Sequence, residues 1–111
     1  MILELVTFRS PPGQDRAAVL EDAKSVIPRW TANPDLVRKH FLLGQNGDGA
    51  GVYIWPSIDA AQKAHDDHWR DAVIKRTGGA PTIQYFDLLL LVDNEHGKVT
   101  QWDADGNASP A

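Results

Sequence analysis

Gly44-Gln45-Asn46-Gly47-Asp48-Gly49-Ala50-Gly51-Val52-Tyr53-Ile54-Trp55 is the stretch on which the fold turns. Asn-Gly and Asp-Gly tolerate positive φ, so residues 44–49 read as a glycine-rich hairpin connection. Gly51 to Trp55 then forms a short strand without a charge. Before the hairpin, Leu36 to Leu43 alternates. Leu36, Arg38, His40 and Leu42 share one face, and Val37, Lys39, Phe41 and Leu43 share the other. Two antiparallel strands therefore meet at residues 44–49.

Toward the N-terminus, Asn33-Pro34-Asp35 marks the exit from a helix. Val19, Ala23, Val26, Ile27 and Trp30 recur at helical spacing from about Gln14, leaving Arg16, Glu21, Asp22 and Lys24 for water. Pro28 falls near the end of that pattern, where it kinks or stops a helix. Ser10-Pro11-Pro12-Gly13 is a turn, and Ile2 to Phe8 is a strand rich in β-branched and aromatic residues.

Toward the C-terminus, Pro56 ends the third strand and Ser57 is a natural N-cap. Ala60, Ala61, Ala64, His65, His68, Trp69, Ala72 and Val73 form the inward stripe of a helical stretch ending at Gly78-Gly79. His65-Asp66-Asp67-His68 is the place where that stretch divides if it is two short helices instead of one. Pro81 opens a final long strand, Thr82 to Val92, with five consecutive apolar residues from Leu88. The expected division is a domain over 1–92 and a tail over 93–111. That tail is either a loose end or an arm that orders on a partner, with Val99 and Trp102 to bury.

Strand–helix–strand–strand–helix–strand is the split βαβ, or ferredoxin-like, α+β arrangement with a four-stranded antiparallel sheet. Helices cover one face of such a sheet, and the other should alternate toward polar residues. Gly51–Trp55 and Leu88–Val92 do not. A broad apolar sheet face is rare on soluble monomers, so the expected partner is a second copy, joined sheet to sheet as a homodimer.

Composition narrows the function. The 111 residues carry 11 Lys and Arg against 15 Asp and Glu, a net charge of −4, which argues against coating nucleic acid. The absence of cysteine excludes disulfides, a thiol nucleophile and Cys-type metal sites. No apolar run approaches the roughly 18 residues that span a bilayer. Met1-Ile2-Leu3-Glu4-Leu5 lacks the basic start of a signal peptide, so the expected location is the cytoplasm. The glycines at 44, 47, 49 and 51 join strand to strand and are no phosphate cradle. No nucleophile elbow accompanies a serine.

Trp30, Tyr53, Trp55 and Trp69 are a large aromatic complement for so small a core. At a helix exit, on a strand and on a helix, they either fill the interior or wall a cavity for a flat ligand. His65 and His68, three apart, could face one side of a helix and ligate a metal, with His40 or Asp87 as a distant third ligand. The competing reading is a helix kink with local hydrogen bonds, and no metal is expected. His65 alone could line a pocket as acid, base or donor. Glu4, Arg38 and Asp87 interrupt apolar strands, so each must sit at an edge, find a partner or serve the dimer seam. A raised pKa would make Asp87 a catalytic carboxylate.

Gly51-Val52-Tyr53-Ile54-Trp55 after its hairpin, Ser57 with Ala60 and Ala61, and Pro81-Thr82-Ile83-Gln84-Tyr85-Phe86-Asp87 resemble the dimeric α+β barrel superfamily. Within it, the chain resembles the small monooxygenases of the antibiotic-biosynthesis type, over residues 1–92. That resemblance implies a cofactor-independent monooxygenase acting on a small aromatic or polycyclic compound between helices and sheet. A neutral histidine, His65 or as second choice His40, would take the substrate's proton, and the anion would react with oxygen. Trp30, Tyr53, Trp55, Trp69 and His68 would contact the substrate. An isomerase or lyase using the same pocket and a non-catalytic ligand-binding dimer are the alternatives. Haem-degrading relatives add a haem reading with a histidine axial ligand.

Overall fold

A computed structural model describes all residues, Met1–Ala111. The elements run β1 (Ile2–Phe8), α1 (Arg16–Ser25), α2 (Ile27–Thr31), β2 (Arg38–Leu43), β3 (Gly49–Trp55), α3 (Ile58–Ala64), α4 (Asp67–Thr77), β4 (Thr82–Asp87), β5 (Leu90–Asp93), β6 (Lys98–Trp102) and β7 (Ala108–Pro110). The first four long strands form one antiparallel sheet in the order β2-β3-β1-β4, as the ferredoxin-like reading requires. No helix is long and apolar enough to cross a membrane.

Local chemistry sets most boundaries. Asp15, Ser57 and Asp66 each accept a backbone N–H three residues on, capping α1, α3 and α4. Gly78, at φ 79°, closes α4 in a left-handed conformation that a side chain would resist. The 44–49 turn closes on Leu43 paired with Gly49.

Three expectations needed correction. The helix expected from Gln14 to Trp30 is two, broken at Val26, because Pro28 at the start of α2 has no N–H to continue the first ladder. The strand expected over 36–43 begins at Arg38, since Leu36 still bonds back to Asn33. The strand expected over 82–92 is also two. β4 stays in the main sheet to Asp87, and β5 pairs with β6 instead. Residues 90–110 thereby fold on themselves as a three-stranded meander, β5-β6-β7. Of the two readings left open for the stretch from Ser57, the structure takes the divided one: two helices, parted at His65 and Asp66.

Register divides the main sheet into two faces. Ile2, Glu4 and Val6 of β1, Tyr53 and Trp55 of β3, Lys39 and Phe41 of β2, and Ile83 and Tyr85 of β4 share the face toward the helices. Ile2, Val6, Tyr53, Trp55, Ala60, Ala61, Trp69, Val73 and Trp30 make the buried core there. The opposite face carries Leu3, Leu5, Val52, Ile54, Leu42 and Phe86. Leu42 and Phe86 on it are exposed.

Candidate functional site

One cross-strand row organises the helix-side face. Lys39 pairs with Tyr53, Tyr53 with Glu4, and Glu4 with Tyr85, so four polar or aromatic side chains span all four strands at one level. Side chains directly opposite in a sheet are close enough to interact. Residues of opposite charge type therefore lie on one row, Glu4 buried and Lys39 half-buried, separated by a phenol.

At the inner position, the Glu4 side chain is wholly buried. Trp55 Nε1–H donates to its Oε1 at 2.9 Å. His65 Nδ1 lies 2.8 Å from Oε1 and 2.9 Å from Oε2. His65 reaches this spot because it ends α3, where the chain turns before Asp66 starts α4. In a neutral imidazole, giving Nδ1–H to the carboxylate leaves the lone pair on Nε2. That nitrogen is buried and has no hydrogen-bond partner. Rings surround the imidazole: Trp69 at 4.3 Å between centroids, Tyr53 at 4.5 Å and Trp30 at 5.4 Å.

At the outer position, the Lys39 ammonium hydrogen-bonds the Tyr53 hydroxyl. It also lies over the rings of Tyr53 at 3.8 Å, Phe41 at 4.0 Å and Trp30 at 4.6 Å. Burial pulls its pKa down to about 7, with the Arg29 charge adding to the fall and Glu4 opposing it. The Tyr53 phenol is pushed well above its ordinary value by burial first and by the Glu4 charge second, so it stays a proton donor. Gly51 leaves the room these groups occupy. A Cβ there would stand 3.0 Å from the Tyr53 ring and 3.3 Å from Lys39 Nζ.

A cavity of about 910 Å³ opens beside Lys39. It exists because α1 stands off the sheet, with no residue buried. Trp30, Tyr53, Trp69 and Phe41 wall it, and Arg29 and Arg76 stand on its lining with their guanidiniums over Trp30 and Phe8. This is an aromatic box with a cationic rim, suited to a flat anionic or phenolic ring.

The expected site residues divide. Trp30, Tyr53 and Trp69 line the cavity. Trp55 does not; it is fully buried, holding Glu4 from below. His65 lies one layer behind the lining, sealed by the three rings. His68 is exposed on α4, on a helix other than the one His65 ends, so the two imidazoles do not share a face. His40 is exposed on the far face of β2, because strand alternation sends it away from Lys39. Asp87 and Arg38 are exposed too. Nowhere do three or more His, Asp or Glu side chains converge as a metal site would need. Lys39, Arg29 and Arg76 were not anticipated, although the 43–49 hairpin closure, counted back four residues, pairs Lys39 with Tyr53.

Neither a protein-family model nor a curated protein matches the sequence. Solved structures do. A crystal structure of an antibiotic biosynthesis monooxygenase superposes with a TM-score of 0.62 at 14% identity, covering 80% of this chain and 99% of the other. Its fold is the fold of this chain. Rv0793 from Mycobacterium tuberculosis gives a TM-score of 0.58 at 12% identity, over 85% of this chain and 98% of its own. A protein from Caulobacter crescentus CB15 gives 0.53 at 20% identity, over 83% and 90%.

Proposed function

We propose that the chain is a small oxidoreductase that binds a flat hydroxylated aromatic or polycyclic compound in this cavity and oxidises it with molecular oxygen, without a bound cofactor. The observation that carries the reading is the Lys39 amine, held among three rings with its pKa lowered to about 7, beside room for a substrate. A base poised near neutral pH is what proton abstraction from a phenol or an activated CH₂ needs. Likeness in fold to an antibiotic biosynthesis monooxygenase supports oxygen as the oxidant.

In this mechanism the substrate lies between Trp30, Tyr53 and Trp69, and Arg29 and Arg76 stabilise its developing anion. Lys39 accepts the proton, in place of the histidines expected from the sequence. His40 faces away, and His65 steadies the wall from behind. The electron-rich carbon then bonds to O₂. Where it was a CH₂ flanked by rings, it ends as C=O; one oxygen atom stays there and the other leaves as water with both hydrogens. The substrate itself is the reductant, so the step balances without an outside donor.

Two copies of the chain are proposed to associate through the apolar face of Leu5, Val52, Ile54 and Phe86, leaving both cavities on the outside. Sedimentation at micromolar concentration should give twice the chain mass, and Val52→Glu should give the single mass.

The test is oxygen uptake with a panel of anthrones and naphthols. Uptake should fall at least about tenfold in Lys39→Met, with no rescue by Lys39→Arg, which cannot lose its proton. Turnover that persists without oxygen would make the chain an isomerase or lyase. Binding without turnover would make it a ligand-binding module.

One observation favours a second reading. The unpartnered His65 Nε2, with Nδ1 anchored on a carboxylate, is how a metal-ligating imidazole is oriented. His65 would hold a haem iron through that nitrogen, and the haem would supply oxygen activation when bound, although the Trp30, Tyr53 and Trp69 rings cover the imidazole in this structure. Haem titration should then produce a Soret shift that His65→Ala abolishes, and an unchanged spectrum removes this reading.

A further inference from the structure

We propose that Lys39 is also a carbonyl-capturing amine, forming a Schiff base with an aromatic aldehyde or ketone that carries an anionic group. The inference rests on the cavity being a ligand site, as proposed above, but not on oxygen chemistry.

Imine formation needs an amine free of its proton, a place for the carbonyl compound and an acid to help water leave. Burial among Tyr53, Phe41 and Trp30 provides the first, since desolvation disfavours the ammonium form. The adjoining cavity provides the second. Tyr53 provides the third, with its hydroxyl bonded to the amine and its phenol held in the protonated form. The titratable and charged groups facing Lys39 are Glu4 on β1, Arg29 on α2 and Tyr53 on β3, with Arg76 of α4 across the cavity. Even with Lys39 neutral, cations outnumber acids on the lining: Arg16, Arg29 and Arg76 against Asp22. An anionic substituent on the ring is therefore favoured over a neutral or cationic one.

The step balances. Lys39 nitrogen bonds to the carbonyl carbon, and the carbonyl oxygen takes one nitrogen proton, giving a carbinolamine. The C–O bond then breaks as Tyr53 gives that oxygen a second proton. Water leaves, the remaining nitrogen proton returns to the Tyr53 oxygen, and C=N remains.

No other lysine has this setting. Lys24 is exposed and paired with Glu21 at 3.2 Å, and Lys63, Lys75 and Lys98 are exposed. Those four are internal controls within the same molecule. The full chain is incubated in oxygen-free buffer with 4-formylbenzoate, benzaldehyde or a trimethylammonium benzaldehyde, quenched with borohydride and mapped by peptide mass. The expected result is one adduct, on Lys39, fastest with the carboxylate probe, with a rate that rises with pH and levels above about 7. Lys39→Arg should lose it, and Tyr53→Phe should slow it several-fold. Modification of Lys24, Lys63, Lys75 and Lys98 at rates equal to or above that of Lys39 overturns the proposal, and does so without needing a folded variant. Trapping without oxygen uptake in the aromatic panel would leave this inference standing while the oxidase reading falls; the converse result would do the opposite.

Discussion

Glu4 and Lys39 sit on the same row of the same sheet, one phenol apart, yet their surroundings answer different needs. Glu4 is saturated by the protein: Trp55 and His65 give its carboxylate N–H donors from β3 and from the end of α3. Lys39 has one polar partner, Tyr53, and otherwise only ring faces and a hole. A buried charge that the chain fully satisfies acts as a structural rivet. Under the proposed function, a half-buried charge left beside an empty aromatic volume is reserved for something that enters. The difference comes from α1, which packs loosely over the Lys39 side, while α3 and α4 press tightly over Glu4.

The largest effect should come from attacking the rivet. Glu4→Ala strands a buried imidazole N–H and a buried indole N–H at once. Removing one partner of a buried pair typically costs about 3–5 kcal/mol. Urea unfolding of the variant should show a loss of that size, and a loss below about 1 kcal/mol would mean that Glu4 is no more structural than Lys39. Trp55→Phe grades the same test. It removes one donor and leaves a smaller aromatic ring, so a loss of roughly 1–2 kcal/mol is expected beyond the change in packing.

How much of this was readable in the residues follows the same division. The fold was open to inspection because its boundaries are chemical. Asn46-Gly47 and Asp48-Gly49 announce a turn, Pro28 interrupts a helix, and Ser57 caps one. The break between β4 and β5 was not, since Leu88-Leu89-Leu90-Leu91 has no glycine, proline or charge to mark it. Leu88 still bonds to Met1, while Leu89 accepts from Trp102, so tertiary partners alone decide where one sheet ends and the next begins. In the site, Trp30, Tyr53, Trp69 and His65 drew notice through their residue types. Glu4 was visible as a charge in need of a partner, but its partner lies 61 residues away. Lys39 carries no such signal, because a lysine is among the residue types most often found exposed. Only its register with Tyr53 and the rings around it set it half-buried on the cavity wall.

A measurement against pH separates the two ends of the row by sign. Lys39 has its pKa lowered in the folded chain from 10.5 to about 7. Between those values the unfolded chain binds a proton there that the folded chain does not, so unfolding takes up a proton and stability rises with pH. Below about pH 7 both states are protonated, and the folded state bears the strain of a poorly solvated ammonium. Lys39→Met should therefore be at least as stable as the parent at pH 6, and its advantage should shrink as the pH climbs toward 10. Chemical denaturation at several pH values, parent against variant, reads that slope directly. A parent whose stability relative to Lys39→Met is flat across the range would place the amine in water, and the distinction between a satisfied charge and a reserved one would be lost.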